Sequence, residues 1–305
     1  MSTRSFVALA CLALAATPVR AQQDARDGVA TSVSWLAAHL HDADLVVLHV
    51  GPDSGYAAGH LPGARHVGLR QITAPNDDAG LAVEFGPDSM LQRQLADLGI
   101  GDRSRVVVVA APDWQTSAMR VLSTLYYAGL GDRARVLDGG LAAWTAAGKP
   151  LTTEVPPATK GRLTIRPRHD FVVDAGFVGS HAGKAGWAVV DARGQAFYDG
   201  VRNSTFARND PGKPGHVPGA LSIGVSEVYA DDGSFLPNDQ LRALFTKAGV
   251  KPGDVVVGYC HIGIYANSII TAARILGHDV RLYDGSFQDW AKRNLPLETK
   301  PAGGQ

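Results

Sequence analysis

Unbroken apolar runs alternate with stretches whose apolar residues recur at helical spacing, and this alternation persists through most of the chain. Leu45–Val50 and Val106–Ala110 are valine-rich runs of the kind that form strands buried on both faces. Thr31 or Ser32 is placed to cap a helix running through His39, and Pro87 opens another in which Met90, Leu91, Leu95 and Leu98 keep one face. Met119–Ala128 predicts a further helix, Val136–Leu137 a short strand, and a helix carrying Trp144 follows. The second half predicts strands at Ala188–Asp191, Val255–Tyr259 and Val280–Leu282, with helices near Gln240–Ala248 and Ala266–Leu276. Such alternation is the signature of an α/β fold, with parallel sheets covered by helices on both faces.

The two halves resemble each other. Gly59-His60-Leu61-Pro62-Gly63-Ala64 recurs as Gly215-His216-Val217-Pro218-Gly219-Ala220. Leu137-Asp138-Gly139-Gly140 with Trp144 recurs as Tyr283-Asp284-Gly285-Ser286 with Trp290. Leu95–Ile100 with the strand after it matches Phe245–Val250 with Val255–Val257. Markers in the same order indicate a duplicated domain. Lys149–Arg168, with its prolines and few apolar residues, reads as a connection. The expected organisation is a domain over 25–150, a linker over 151–168 and a second domain over 169–300. The histidine hexapeptide is expected to be a tight turn tied down by its imidazole, since no second His or Cys stands at metal-ligand spacing.

Composition adds little except at the N-terminus. Lys+Arg and Asp+Glu both number 29, which gives no basic surface for nucleic acid. Residues 1–21 carry a cationic start at Arg4, an apolar run from Phe6 to Ala16, a break at Pro18 and Val19-Arg20-Ala21. This is the pattern of a secretory signal cut after Ala21, and the run is too short to span a bilayer. Losing Arg4 and Arg20 leaves 27 of the 29 cations against 29 anions. Cys11 leaves with the same segment, so an exported, periplasmic or secreted chain keeps Cys260 alone.

Cys260 follows the apolar run ending at Tyr259, and His261-Ile262-Gly263-Ile264-Tyr265 separates it from Ala266, where a helix is expected to begin. The carboxyl end of a buried parallel strand is where α/β sheets bind ligands. Gly263 permits a loop with positive φ, so that successive N–H groups and the helix N-terminus favour an anion at the sulfur. The expected consequence is a depressed thiol pKa.

Taken together, the hexapeptide, strand–Cys-x-x-Gly-x-x-Ala–helix and Asp-Gly-Ser with its downstream Trp resemble the rhodanese family. The tandem arrangement resembles the thiosulfate and 3-mercaptopyruvate sulfurtransferases. The resemblance implies two rhodanese-like domains and no cofactor or metal. It also implies a sulfane sulfur passed from a small-molecule donor through a Cys260 persulfide to a thiol or cyanide. The implied substrate-binding set is Arg193, His261, Ile262, Gly263, Ile264, Tyr265 and Ser286, with neither nucleic acid nor stable membrane insertion involved.

The first copy departs from the pattern, with Ala110-Ala111-Pro112-Asp113 opposite the cysteine and His49-Val50-Gly51 opposite Asp191-Ala192-Arg193. It is expected to be catalytically inactive. In the second copy Phe197 replaces the family's second substrate-holding arginine. Lys213 is either its substitute or a solvated loop cation, and Arg193 either touches substrate or pairs with Asp191. A thiosulfate dianion is therefore expected to be served less well than a singly charged donor, except below about pH 6.5, where His261 would gain charge.

Other chemistries fit less well. A cysteine phosphatase needs a longer loop ending in Arg, and Ala266 stands there instead. A cysteine peptidase needs a base, and nothing in sequence ties His169, His181 or His278 to Cys260. The competing expectation is a non-catalytic exported module that binds a partner or a thiol-reactive species.

Overall fold

The computed structural model describes residues 25–75, 80–203 and 212–299, so the expected signal segment lies outside the described residues. In the first half, β1 (Ala30–Thr31) leads to α1 (Val33–His39), β2 (Leu45–Val50), α2 (Asp53–Ala58) and β3 (Arg65–His66). Next come α3 (Asp88–Asp97), β4 (Arg105–Ala110), α4 (Gln115–Leu125), β5 (Ala134–Leu137) and α5 (Gly140–Ala146). The second half repeats the series as β6 (Val172–Val173), α6 (Ala175–His181), β7 (Trp187–Asp191), α7 (Gln195–Tyr198) and β8 (Leu221–Ser222). It ends with α8 (Asn238–Ala248), β9 (Val255–Tyr259), α9 (Ala266–Ile275), β10 (Val280–Tyr283) and α10 (Ser286–Lys292).

The strands form two five-stranded sheets of matching order, β1-β5-β4-β2-β3 and β6-β10-β9-β7-β8. Every strand pair is parallel. The valine-rich runs Leu45–Val50 and Val106–Ala110 fall on β2 and β4, and Val255–Tyr259 falls on β9, each sandwiched between neighbours and largely buried. Ser32 caps α1 by accepting the Trp35 N–H at 3.2 Å, as its residue type requires.

Helices cover each sheet on both faces, and three apolar clusters follow. On the outer face of the first sheet, Leu36 of α1 and Trp144 of α5 pack over Val47, Val107 and Val109. On the outer face of the second, Val178 of α6 and Phe287 and Trp290 of α10 pack over Val189 and Val257. The inner faces share a single cluster that joins Val121 and Leu122 of α4 to Ile269 and Ile270 of α9. Burying both inner faces in one core couples the halves by the dominant favourable term in folding.

The hexapeptides are structural in both copies. His60 Nδ1 bonds the Tyr56 carbonyl at 2.8 Å and its ring stacks on Tyr56. His216 Nδ1 bonds the Tyr198 carbonyl at 2.7 Å and stacks on Tyr198. Both tyrosine hydroxyls donate back into the turn, Tyr56 to Ala64 O and Tyr198 to Ala220 O. The connection between the sheets is strapped to the first half. Thr152 N–H donates to His60 O, Gly161 N–H to Ala96 O and Arg166 N–H to Ala128 O.

Candidate active site

β9 lies between β10 and β7, where the chain's crossovers leave to opposite sides of the sheet, the position at which open parallel sheets form ligand sites. Cys260 follows its last residue and is 1% exposed. The N–H groups of Ala266, Ile262, Tyr265 and Gly263 are directed at its sulfur. Gly263 adopts φ +80°, and a Cβ there would meet the Asp284 carbonyl at 2.6 Å, so conformation and space both require glycine. Asn267 Nδ2 donates to the carbonyls of Gly263 and Ile264, at 2.6 and 2.9 Å.

The loop is held from below by the first turn of α10. Ser286 Oγ accepts the Cys260 N–H at 3.1 Å and donates to Tyr283 O at 2.9 Å. The N–H groups of Phe287 and Gln288 donate to the carbonyls of Cys260 and His261. Ser286 is fully buried, and these bonds make it part of the scaffold under the cysteine.

Two electrostatic expectations are overturned by burial. Burial pushes the Cys260 thiol above its ordinary value, although the four N–H groups pull the other way. The N–H dipoles alone would depress it, and the cost of desolvating the thiolate outweighs them. His261 is 2% exposed and lowered to about 4, by burial first and then by the Arg193 charge. It therefore gains no charge near pH 6.5, which removes the basis for the expected improvement with thiosulfate below that pH.

Arg193 takes the ion-pair alternative. Its Nε and Nη2 bind the Asp191 carboxylate at 3.0 and 2.7 Å, and Nη2 also donates to Gly215 O. The guanidinium lies 3.7 Å from the centre of the Phe287 ring, and Tyr259 Oη donates to the same carboxylate at 2.7 Å. Nη1 is buried without a hydrogen-bond partner among the described residues, and the charge acts on both Cys260 and His261. Arg193 is thus a buried cation, paired with Asp191, whose field reaches the Cys260 thiol.

Phe197 meets His261 edge-on at 4.6 Å between ring centres, and Tyr265 meets the same imidazole edge-on at 5.8 Å. Where the family's second cation would stand, this chain places an aromatic wall. Ile264 is buried and Ile262 half-buried in the same loop. Lys213 Nζ donates to Asn294 Oδ1 at 2.5 Å. The peptidase candidates are engaged elsewhere: His169 with Tyr127 Oη, His181 with Phe177 O, and His278 with Asp254 O.

The equivalent place in the first half carries no thiol. Asp113 takes φ +65°, and a Cβ at Gly51 would meet Ala111 Cβ at 2.6 Å. His49 is fully buried, with neither ring nitrogen bonded among the described residues, and burial lowers it to about 4.

These groups predict the shape of stability against pH. His49 and His261 sit near 4 folded and near 6.5 unfolded, so only the unfolded chain takes up protons between those values. Their contribution is present above about pH 6.5 and lost as pH falls to about 4. Glu84 is raised by burial, then by Asp284 and Asp289, to about 7, and acts in the opposite direction, losing stability as pH rises. Two groups oppose one, so melting temperature is expected to climb across this window. Glu84→Gln should steepen the climb and His49→Gln flatten it; thermal melts in a buffer series check both signs.

Sequence reasoning missed the residues that fix the loop. Asn267 was visible as a polar residue beside Ser268 in the first turn of the otherwise largely apolar α9, and Ser286 only as part of a motif. Arg120, a lone cation in α4, touches the loop from the other half.

A model of the Rhodanese-like domain matches residues 32–147 and again 177–293. A protein of Mycobacterium tuberculosis described as a putative thiosulfate sulfurtransferase, SseB, is 33% identical over 82% of this chain and 85% of its own length. A probable 3-mercaptopyruvate sulfurtransferase of Pseudomonas aeruginosa is 33% identical over 84% of this chain and 92% of its own. Among solved structures, the anaerobic ergothioneine biosynthesis enzyme from Chlorobium limicola superposes with a TM-score of 0.77 at 21% identity. That superposition covers 91% of this chain and 71% of the enzyme, and it speaks for the fold alone. With two matched copies spanning both sheets and cysteine kept only in the second, the chain belongs to the rhodanese-like family as a tandem member.

Proposed function

We propose that this chain is an exported sulfurtransferase that carries sulfur on Cys260. The observation that carries the reading is the loop of N–H groups closed around a single buried cysteine at the end of β9. In the first step the thiolate attacks the sulfane sulfur of the donor, forming the persulfide S–S bond. The donor's own bond to that sulfur breaks, releasing sulfite from thiosulfate, or the enolate of pyruvate, which then takes a proton, from 3-mercaptopyruvate. In the second step a thiolate or cyanide attacks the outer sulfur and returns the Cys260 thiolate. The names of the relatives support both donors, and the N–H cradle suits the transferred sulfur in either case.

The site favours the less charged donor. Arg193 is committed to Asp191, His261 is neutral and Phe197 supplies no charge. The expected result is a higher kcat/KM for 3-mercaptopyruvate than for thiosulfate near neutral pH. Because the thiol is raised, sulfur uptake should accelerate with rising pH for both. Steady-state kinetics with each donor over a pH series decide this, and a clear preference for thiosulfate would sink the specificity argument. Intact mass after donor treatment separates enzyme from binding module. An enzyme gains one reducible sulfur atom and turns over with added cyanide or thiol, whereas a module takes up one sulfur at most and stops.

A further inference from the structure

Arg120 rises from the middle of α4, in the half that lacks the cysteine, and is fully buried at the junction. Its guanidinium gathers groups from both halves. Nη1 donates to Asp284 Oδ1 and lies 3.4 Å from Gly263 O, while Nη2 donates to Val83 O at 2.5 Å. The plane sits 4.0 Å from the centre of the Phe85 ring. Phe85 N–H takes the other Asp284 oxygen at 2.8 Å. Gln288 closes the same seam by exchanging two hydrogen bonds with the backbone of Ala82.

The target of these contacts is the sulfur-carrying loop. Gly263 is seated directly on Asp284, whose Oδ1 lies 3.0 Å from where a Gly263 Cβ would be. Its carbonyl, shared between Arg120 and Asn267, is turned away from the sulfur, while its N–H is directed at it. Holding that carbonyl outward restrains the peptides that cradle the thiol.

The opposite side of the junction has no arginine at the equivalent helix position. Phe235 N–H bonds Asp138 Oδ1 at 2.9 Å, mirroring Phe85 and Asp284. Aligning Ala118 with Ala266, however, sets Ser268 opposite Arg120, and Ser268 merely accepts from Tyr229 Oη. There Asp138 is bridged instead by Arg26, from the short helical turn that precedes β1. Arg26 gathers Asp138 with the carbonyls of Phe235 and Leu236, whereas Arg120, on α4, also reaches a carbonyl of the cysteine loop.

Building on the sulfurtransferase reading, we infer that Arg120 is a positioning residue for that reaction: the cysteine-free half aims the Cys260 loop through Asp284 and Gly263. Arg120 touches neither sulfur nor donor. A planar fork reaching three acceptors at once is a task that lysine's single ammonium cannot perform.

The test uses the full chain carrying Arg120→Gln or Arg120→Lys. Thiolate formation is followed by ultraviolet absorbance against pH, with Cys260→Ser of the same protein subtracted, alongside sulfur uptake by quenched mass and thermal melting. The expected result is a thiolate midpoint about one pH unit higher in both variants, with uptake near neutral pH roughly tenfold slower. A wild-type midpoint in Arg120→Gln, with only the melting temperature lowered, would overturn the inference in favour of a purely structural contact. A wild-type midpoint in Arg120→Lys would overturn it too, since charge alone would then suffice. Should Arg120→Gln fail to fold, Arg120→Lys decides by the same measurement. If the wild-type protein takes up no sulfur, the sulfurtransferase reading fails, while the titration still reports whether Arg120 governs the thiol.

Discussion

Replacing Cys260 by alanine is expected to abolish sulfur transfer, by about a thousandfold or more, while leaving the fold intact. Cys260 is the only cysteine among the described residues, so nothing else there can accept the sulfur as a thiol. The side chain is 1% exposed and packed at the end of β9, and shortening it removes only one heavy atom. The stability cost should therefore stay near 1 kcal/mol, the scale of one small buried group. Intact mass should show no donor-derived sulfur in Cys260→Ala and one reducible sulfur in the parent. Retention of turnover in a Cys260→Ala protein of correct mass would remove the basis of the proposed mechanism.

The second large effect is on stability. Trp144 is 1% exposed among Leu36, Val47, Val107 and Val109, and its indole N–H donates to Pro150 O at 3.0 Å. Trp144→Ala is expected to cost about 3–5 kcal/mol and to lower the melting temperature on the order of 10 °C. Activity per folded molecule should survive, because this cluster faces away from the junction. Trp290 is the counterpart, with its N–H on Pro296 O at 2.8 Å. Its helix, α10, donates to the carbonyls of Cys260 and His261. Trp290→Ala should therefore lose stability on the same scale and activity as well. Equal specific activities in the two folded variants would contradict this division between the faces.

The long central strands were readable because β4 and β9 are valine runs whose burial on both faces leaves no alternation to misread. The edge strands β1, β3, β6 and β8 escaped, since a run of two residues has no period. α4 begins before Met119 because its first turn, Gln115 to Ser117, is polar and breaks the apolar pattern from which its start was inferred. At the site, Cys260 and Gly263 were legible from residue type and spacing. The direction of the thiol shift was not, because burial depends on which groups close over the sulfur. Arg193 presented two alternatives in sequence, and only coordinates show both Asp191 oxygens taken up by its fork. Arg120 was beyond reach, separated from Asp284 by 164 residues.

The paired clasps, Phe85 on Asp284 and Phe235 on Asp138, are the geometry of an isologous dimer, in which each subunit offers the same patch and receives the same patch in return. In a homodimer any residue added to one side appears on the other. Arginine at the position of Arg120 would then have to stand at the position of Ser268 as well, in the middle of a second buried helix. Joining the two copies in one polypeptide removes that constraint. One copy can lose its thiol and acquire a cation, while the other keeps the thiol and a small hydroxyl. The duplication thus does more than double the core, because it lets a symmetric contact be used asymmetrically.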